Sequence, residues 1–302
     1  MDERTSAIVM PHRRERPASL PRREARIGLA FVAPTFLWLT VFVLLPSVAA
    51  VALSFTEWFL VGSPKFIGLA NYLALFEDST FGQAVIVTFQ VAAGVALPGS
   101  VLALVLALLM SNVVRGRAVY QAVFYLPLVI PSVVSSIIWG AMYLGQGVIN
   151  TLLGTQIKWL ADPVWALVSI LMLMVWTNIG YYTILVFAGL QDIPAEILEA
   201  ASMDGAGPLQ RLVHIIVPLL RPVLLFVLVI ATTEALTLFV QPYLLTQGGP
   251  GGATQTLSLY IYQVGFSFGN VGKASAMAVV LLAIAILFAL VQFRILRSSH
   301  DD

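Results

Sequence analysis

Residues 84–110 read AVIVTFQVAAGVALPGSVLALVLALLM. They lie within a longer run, residues 79–114, that contains no Asp, Glu, Lys or Arg. A helix needs about 20 consecutive apolar residues to cross the hydrocarbon core of a bilayer. The stretch is therefore long enough and apolar enough to predict a membrane-spanning helix.

The whole chain shares this apolar character. Its 302 residues are 59% hydrophobic and 10% charged, with a mean hydropathy of +0.93. Soluble domains carry about 25% charged residues, so the composition indicates an integral membrane protein. The chain has no cysteine, which excludes disulfides, thiolate metal sites and cysteine nucleophiles. His12, His214 and His300 are far apart in the sequence, and we expect no histidine metal cluster.

Charge-free runs recur along the chain and predict an all-α polytopic membrane protein with six transmembrane helices. The fifth run is interrupted only by Glu234. The predicted spans are residues 27–55, 84–110, 119–144, 164–190, 219–245 and 274–296. The first stretch is about twice as long as a signal-peptide core, so we expect it to stay attached. Bends are expected in spans two and three at Pro98, Pro127, Pro131 and Gly140.

The distribution of positive charge predicts the orientation, because Lys and Arg accumulate in cytoplasmic loops. With the N-terminus in the cytoplasm, all thirteen arginines fall on the inside and the three lysines fall outside. Both termini are therefore predicted to be cytoplasmic. The loop between spans four and five, residues 191–218, is cytoplasmic as well.

The predicted organisation has a transmembrane domain, residues 27–296, between two cytoplasmic tails. Residues 1–26 are rich in Arg, Pro and Ser, which predicts a disordered tail that sets topology or contacts membrane lipid. Residues 297–302 form the second tail. The external residues 57–83 mix aromatic and polar side chains, as a helix lying on the membrane surface would. Gly and Pro in the external residues 246–272 indicate turns.

Glycine-rich stretches raise the question of a nucleotide site. A phosphate-binding loop needs G-x-x-x-x-G-K-[ST], but residues 248–255 (GGPGGATQ) lack the lysine and residues 269–275 (GNVGKAS) have the wrong spacing. The sequence offers no acid pair and no Ser/His/Asp set. We therefore expect no enzyme activity, no cofactor in this chain and no nucleic-acid partner, so that energy for active transport must come from another polypeptide.

The cytoplasmic residues 191–218 (QDIPAEILEAASMDGAGPLQRLVHIIVP) predict two short helices around a glycine elbow. Pro194 suits a first helical turn that Asp192 can cap. Gly205 ends the first helix, and Pro208 begins the second. An amphipathic hairpin resting on lipid headgroups would show the same pattern, although acidic residues argue mildly against contact with an anionic leaflet.

The spacing within this loop resembles the EAA motif of permease subunits of binding-protein-dependent ABC importers. In that motif E-A-A is followed by three residues, G, nine residues and I-x-L-P. The matching residues are Glu199, Ala200, Ala201, Gly205, Ile215 and Pro218, with Val217 in the place of leucine. The resemblance implies that the first helix docks on an ATPase subunit. The residues expected to make that contact are Glu199, Ala200, Ala201, Met203, Asp204 and Gly205.

The resemblance extends from about residue 27 to the end of the chain. Residues 66–78 (FIGLANYLALFED) and 245–282 are similar to the first permease subunit of the carbohydrate-uptake branch, which includes maltose and glycerol-3-phosphate importers. The family implies a location in the bacterial cell membrane and three kinds of partner. These are a second permease subunit, an ATPase pair that binds ATP and Mg, and an extracytoplasmic solute-binding protein.

Polar residues within the spans are candidates for a solute path. Glu234 is the only acidic residue inside a predicted span, and a charge at that depth costs about 2.5 to 3.5 kcal/mol on insertion scales. It therefore needs a partner, a water-filled cavity or a proton. Glu234, Thr237 and Gln241 are spaced to share one helical face, and Asn178 and Tyr181 belong to a polar and aromatic stripe on span four. These residues line a carbohydrate path or, alternatively, bond helices together.

Two classes of function remain in view. One is the permease subunit of an ATP-driven importer, forming half of a pore for a sugar or sugar-like solute. The other is a self-sufficient secondary transporter or channel, for which six spans and one buried acid would suffice. Many secondary transporters contain internal repeats, and none is evident here.

Overall fold

A computed structural model describes residues 22–111 and 116–298. Apart from one two-stranded hairpin, the regular structure of these residues is helical. The predictions for residues 1–21 and 299–302 lie outside the described residues. The helices are α1 (Arg22–Leu39), α2 (Leu45–Leu53), α3 (Ala70–Glu77), α4 (Ser79–Ser111), α5 (Arg117–Val129), α6 (Ser132–Met142), α7 (Val148–Leu153), α8 (Pro163–Gln191), α9 (Ala195–Met203), α10 (Pro208–Arg211), α11 (Val217–Leu236), α12 (Val240–Leu245), α13 (Leu257–Tyr262) and α14 (Val271–Ser298). The strands are β1 (Thr56–Phe59) and β2 (Val61–Phe66).

Five helical stretches in the described part are long and apolar enough to cross a membrane, and a bent pair of helices brings the number to six if the pair forms one span. Two of these stretches contain a π-helical turn, Thr40–Leu44 between α1 and α2 and Leu212–Ile216 between α10 and α11. The unbroken spans are Ile27–Leu53, Ser79–Ser111, Pro163–Gln191, Pro208–Leu236 and Val271–Gln292. The prediction of an all-helical membrane protein is confirmed. Within the described residues, the chain divides into two compact units at residues 49 and 50, and the first unit is helical from Arg22 onward.

The stretch predicted as the third span, residues 119–144, contains one of the bends expected from its prolines. α5 and α6 meet at an angle of 97°, and the break falls at Pro131. Proline has no backbone N–H and disfavours a helical conformation in the residue before it. Ile130 accordingly adopts an extended backbone (φ −75°, ψ 124°), and its N–H bonds to the Pro127 carbonyl at 3.3 Å. By contrast, α4 continues through Pro98 without a break.

The fifth span also ends earlier than predicted. The sequence predicts a helix over residues 219–245, whereas α11 ends at Leu236 and a separate α12 follows. The cause is Pro242, which has no N–H to donate to the Leu238 carbonyl four residues earlier. The Thr256 hydroxyl donates to that carbonyl instead, at 2.8 Å.

The core lies where α4, α8 and α11 pack together. Small residues on α4, including Ala96, Ala103 and Ala107, are buried and allow the helices to approach closely. α5 also packs on α8, and the closest approach is at Gly180. A Cβ atom at this position would overlap the backbone carbonyl of Phe124. The crossing of α5 and α8 therefore requires glycine.

The helix predicted on the surface over residues 57–83 is wrong in its first part. β1 and β2 form an antiparallel hairpin there, and only α3 is helical before the second span begins. Gly62 takes φ 93°, in the left-handed region, and Pro64 lacks an N–H, so both oppose a helix. The hairpin docks on the start of α14, where the Leu60 N–H donates to the Gly269 carbonyl at 3.1 Å.

Asp78 joins three elements at this end of the molecule. Its Oδ1 accepts the backbone N–H groups of Thr80 and Phe81 at the start of α4, at 3.0 and 3.1 Å. Its Oδ2 accepts the Tyr260 hydroxyl at 2.8 Å and the Lys273 ammonium at 2.7 Å. Burial alone would raise the pKa of Asp78, but these hydrogen bonds and the lysine charge outweigh it and lower the pKa below its usual value.

Candidate functional site

The loop after the fourth span forms the predicted helical hairpin (residues 195–216), which we call the coupling hairpin after the role that the motif resemblance implies. Its first arm is α9, and the chain turns at Gly205, where φ is 80°. The Ala206 N–H donates to the Ala201 carbonyl at 2.9 Å, which satisfies a carbonyl at the helix end. The first helix and its glycine stop are confirmed. The predicted cap is wrong, because no side chain, including that of Asp192, caps α9.

The second arm is not a separate short helix. It begins at Pro208, as predicted, and the side chain of Gln210 accepts the Gly207 N–H at 2.9 Å. From there α10 continues through the π-helical turn into α11, so one helical rod runs from Pro208 to Leu236 over 29 residues. The hairpin is therefore built into the fifth span.

A hydrogen bond joins the two arms of the coupling hairpin. The guanidinium of Arg211 donates from Nη1 to the Ser202 hydroxyl at 2.9 Å, and that hydroxyl donates in turn to the Leu198 carbonyl at 2.7 Å. Within the described residues, Arg211 has no carboxylate within ion-pair distance. The bond to Ser202 therefore fixes the angle between the arms across the glycine elbow.

The face of the coupling hairpin that carries the motif residues is mostly uncovered in this chain. Ala201 packs inward and is 8% exposed, whereas Met203 is 88% exposed. On the second arm, Leu209 is 71% exposed. The other residues expected to contact the ATPase are exposed as well: Glu199, Ala200, Asp204 and Gly205. An acidic and apolar surface on a rigid elbow is suited to contact with another protein.

The partly buried acid of span five has a partner on span four. Glu234 accepts a hydrogen bond from the Tyr182 hydroxyl, with an oxygen to oxygen distance of 2.7 Å. Tyr182 is fully buried, and its ring packs so closely on α4 that a Cβ atom at Gly99 would lie 3.3 Å from it. Of the three alternatives expected for Glu234, a partner, a water-filled cavity or a proton, the structure shows a partner. The Glu234–Tyr182 pair thus lies at the meeting point of α4, α8 and α11.

The predicted stripe on span four lies beside this pair. The ring centroid of Tyr181 is 6.3 Å from that of Tyr182. Asn178, 7% exposed, precedes Tyr182 by four residues and lies on the same face of α8, where its amide donates to the Met174 carbonyl at 3.2 Å. The structure therefore places Tyr181 and Asn178 beside Tyr182, and no hydrogen bond from either residue to Glu234 is present among the described residues.

The prediction that Glu234, Thr237 and Gln241 share one helical face is wrong. α11 ends at Leu236, and Gln241 lies on α12, where it is 7% exposed. The Thr237 hydroxyl donates to the carbonyls of Thr233 and Glu234, at 3.1 and 3.3 Å. The helical spacing used for the prediction does not persist beyond the end of α11.

Sequence reasoning missed two features. The first is Tyr182, which is absent from the predicted site residues and donates its hydroxyl hydrogen bond to Glu234. The second feature is a cluster of aromatic rings beyond the end of α11. The sequence contains a signal for it, because two pairs of its aromatic residues are spaced four residues apart. The residues of this cluster are Phe239, Tyr243, Tyr262 and Phe266. In the described part of the chain, no group of three or more His, Cys, Asp or Glu could hold a metal ion.

Comparison with known proteins identifies the family. The profile described as "Binding-protein-dependent transport system inner membrane component" matches residues 99–299. The chain belongs to this family. It is a multi-pass inner-membrane permease subunit of a binding-protein-dependent ABC importer, and members of the family carry no catalytic activity of their own. This decides against the alternative of a self-sufficient transporter or channel.

Relatives of this permease match over nearly their full length. It is 38% identical to the probable ABC transporter permease protein YesP of Bacillus subtilis, over 90% of this chain and 91% of that protein. It is 32% identical to the trehalose/maltose transport system permease protein MalF of Thermococcus litoralis, over 94% of this chain and 98% of that protein. A bacterial ABC transporter that imports alginate shares the fold, with a TM-score of 0.79, 23% identity and coverage of 91% and 96%.

Proposed function

We propose that this permease carries a carbohydrate or a related polyol. Relatives include the sulfoquinovosyl glycerol permease SmoG of Agrobacterium fabrum, 33% identical, and a lactose permease of Rhizobium radiobacter, also 33% identical. A glycerol-3-phosphate permease of Salmonella typhimurium is 34% identical. The proposed complex contains a second permease, a pair of ATPase subunits that bind ATP and Mg, and an extracytoplasmic binding protein that delivers the solute.

The observation that carries this proposal is the continuity of the coupling hairpin with the helix that bears Glu234. The exposed residues of the hairpin, including Glu199 and Met203, offer a partner both charge and apolar area. The rod that starts at Pro208 then leads without interruption to the Glu234–Tyr182 pair. Closure of the ATPase pair on ATP binding draws the hairpins of the two permeases together and turns the pore toward the binding protein.

The Glu234–Tyr182 pair is the proposed centre of the solute path. A carboxylate and a phenol hydroxyl can exchange their mutual hydrogen bond for bonds to sugar hydroxyls, and Tyr181 supplies an aromatic face. Asn178, Thr237 and Gln241 complete the proposed path. The path requires Glu234 to face an aqueous space in one conformation, because an isolated charge within the membrane is costly.

The proposed orientation places both termini and the coupling hairpin in the cytoplasm. All thirteen arginines then lie on the cytoplasmic side. In this orientation the β1–β2 hairpin and the Asp78 cluster face outward, on the side from which the binding protein delivers solute.

Charge reversal at Glu199 tests the coupling role. The complex purified through this chain, with its ATPase, second permease and binding protein, is reconstituted in liposomes. Glu199→Lys reverses the charge of an exposed side chain, and Gly205→Trp adds a bulky one at the elbow. Both are expected to abolish ATP-driven uptake while the chain still inserts in the membrane. Asp192→Lys, an equally exposed acid at the end of α8, is the matched control and should retain uptake. Normal uptake by the Glu199→Lys complex would refute the coupling role.

A further inference from the structure

A cavity of about 760 Å³ lies between the apolar helices α4, α5, α6 and α8. We call it the side groove, and the residues that define it include Pro98 of α4, Val123 of α5, Trp139 of α6, and Val175 and Trp176 of α8. The described residues that line it include no charged side chain and no hydroxyl group. The side groove is therefore an apolar surface at membrane depth.

The bend between α5 and α6 leaves the side groove open. α5 packs on α8, whereas beyond the 97° bend α6 packs mainly on α12. The rings of Trp139 and Trp176 meet at a centroid distance of 5.4 Å and form one wall. Ile179, at the floor, is 7% exposed, while Val123 and Met172 at the rim are 61% and 39% exposed. The groove is thus closed on the protein side and accessible to the molecules that surround the helices.

The dimensions of the side groove fit a single lipid acyl chain. It follows α4 from Gly94 to Leu106, about 18 Å at the usual helical rise. The hydrocarbon core of a bilayer is about 30 Å thick, so the chains of one leaflet extend over about 15 Å. An α-helix is about 10 to 12 Å wide with its side chains, and about 18 Å of it would occupy roughly 1,400 Å³ or more. A helix is therefore too wide for the groove, whereas one acyl chain fills it along its length.

The side groove is separate from the proposed solute path. Asn178 follows Trp176 by two residues, which places it about 200° around α8 and nearly on the opposite face. The hydroxyl groups of a sugar would lose their hydrogen bonds to water on entering a surface without hydroxyls or charges. An acyl chain has no such bonds to lose, and it restores the dispersion contacts that an empty groove would forfeit.

Positive charge lies in the sequence at the start of α5. Arg115 and Arg117 are the arginines of the loop between spans two and three, and α5 begins at Arg117. Val123 is six residues further on, about 9 Å along the helix. Basic residues beside the cytoplasmic surface attract anionic headgroups, by about fivefold in affinity per residue. A phospholipid whose phosphate lies near the start of α5 would have its acyl chain at the entrance of the side groove.

We infer that the side groove binds one acyl chain of an anionic phospholipid from the cytoplasmic leaflet, in preference to zwitterionic lipid. An acyl chain gains no hydrophobic energy on leaving the surrounding lipid, so the shape of the groove and the charge of the headgroup provide the selectivity. The leaflet follows from the proposed orientation. The inference is otherwise independent of the solute that is carried.

Quenching of tryptophan fluorescence by brominated acyl chains tests this site, because bromine quenches at close contact. The purified complex is placed in phosphatidylcholine nanodiscs in which about one-tenth of the lipid has brominated chains, as phosphatidylglycerol in one sample and as phosphatidylcholine in the other. The emission lost in Trp176→Phe gives the share of Trp176. In the wild type, brominated phosphatidylglycerol should quench that share about three- to sevenfold more than brominated phosphatidylcholine, from the charge of one to two arginines.

Two substitutions place a larger side chain in the side groove. Val123→Phe and Val175→Phe should each reduce the excess quenching by phosphatidylglycerol about threefold or more, and Val123→Phe, at the exposed rim, keeps the test valid if Val175→Phe disturbs packing. Val119→Phe is the matched control, because Val119 lies one turn earlier on α5, is 66% exposed and is not among the described residues that line the groove. It should leave the quenching unchanged.

Three results would overturn the inference. The first is equal quenching by the two brominated lipids in the wild type, and the second is equal quenching in the Val123→Phe and Val119→Phe complexes. The third is protection of Trp176 from both lipids that disappears when the second permease is removed, which would assign the groove to the interface between the permeases. None of these results bears on the coupling role, which is tested by uptake in the Glu199→Lys complex.

Discussion

The Tyr182→Phe substitution removes one hydroxyl group and measures how much the Glu234–Tyr182 pair contributes to the stability of the complex. The ring of Tyr182 is fully buried and would keep its packing, so the main change is loss of the 2.7 Å hydrogen bond to Glu234. A hydrogen bond to a charged group contributes about 1.5 to 3 kcal/mol. We expect Tyr182→Phe to lower the free energy of unfolding by that amount, measured by SDS titration of the reconstituted complex.

A double-mutant cycle with Glu234→Ala separates this bond from general packing. Once the carboxylate is removed, Tyr182→Phe should cost much less than in the wild type, because the bond no longer exists to be broken. Tyr143→Phe is the control, since Tyr143 is 2% exposed and its hydroxyl donates to the backbone carbonyl of Ser169 at 2.8 Å. It should show the smaller cost of about 0.5 to 1.5 kcal/mol for a neutral hydrogen bond, equal in both backgrounds.

If Tyr182→Phe lowered the free energy of unfolding equally with and without Glu234, the assignment of a stabilising pair would be refuted. Uptake by the same Glu234→Ala complex tests the solute path independently. If the rate and the selectivity of transport among maltose, lactose and glycerol 3-phosphate were both unaltered, Glu234 would have a structural role only.

Three further experiments test the helix packing at Gly180, the bond between the hairpin arms and the Asp78 cluster. Gly180→Ala places a Cβ against a backbone carbonyl and should destabilise the complex by about 1 to 3 kcal/mol in the SDS titration, while Gly82→Ala, with open space around it, should not. Arg211→Lys and Ser202→Ala should each lower uptake per ATP hydrolysed by about two- to tenfold, the effect of one hydrogen bond, and the double variant should lose no more than either one. The pKa of Asp78 is lowered in the fold. The stability that its carboxylate contributes is therefore present above about pH 4 and is lost as the pH falls through the pKa of the folded state. In thermal unfolding, the Asp78→Asn variant should be less stable at pH 7 and should lack that acid-dependent loss.

The ends of several spans could be read from the sequence because charge or capping marks them. The prediction of residues 164–190 differs by one residue at each end from α8. At its start, the Asp162 carboxylate accepts the backbone N–H groups of Val164 and Trp165. Such local signals act over a few residues, so a single sequence contains them.

The departures arise from contacts that are distant in the sequence. Hydropathy continues past Leu236, and the break there depends on Pro242 together with Thr256, whose hydroxyl takes up the free carbonyl. Likewise, the need of Glu234 for a partner followed from its burial in a span, but Tyr182 is 52 residues away along the chain. Periodicity along one helix cannot select a partner on another.

In the proposed coupling role, the helical rod from Pro208 to Leu236 would act as a mechanical lever. Its 29 residues span about 44 Å at the usual helical rise, and Glu234 lies roughly 39 Å from the start. A tilt of roughly 5° about the hairpin end would displace Glu234 by about 3 Å over that length, enough to separate it from a Tyr182 held in the core. A small rotation at the ATPase would thus be converted into making or breaking one hydrogen bond deep in the membrane.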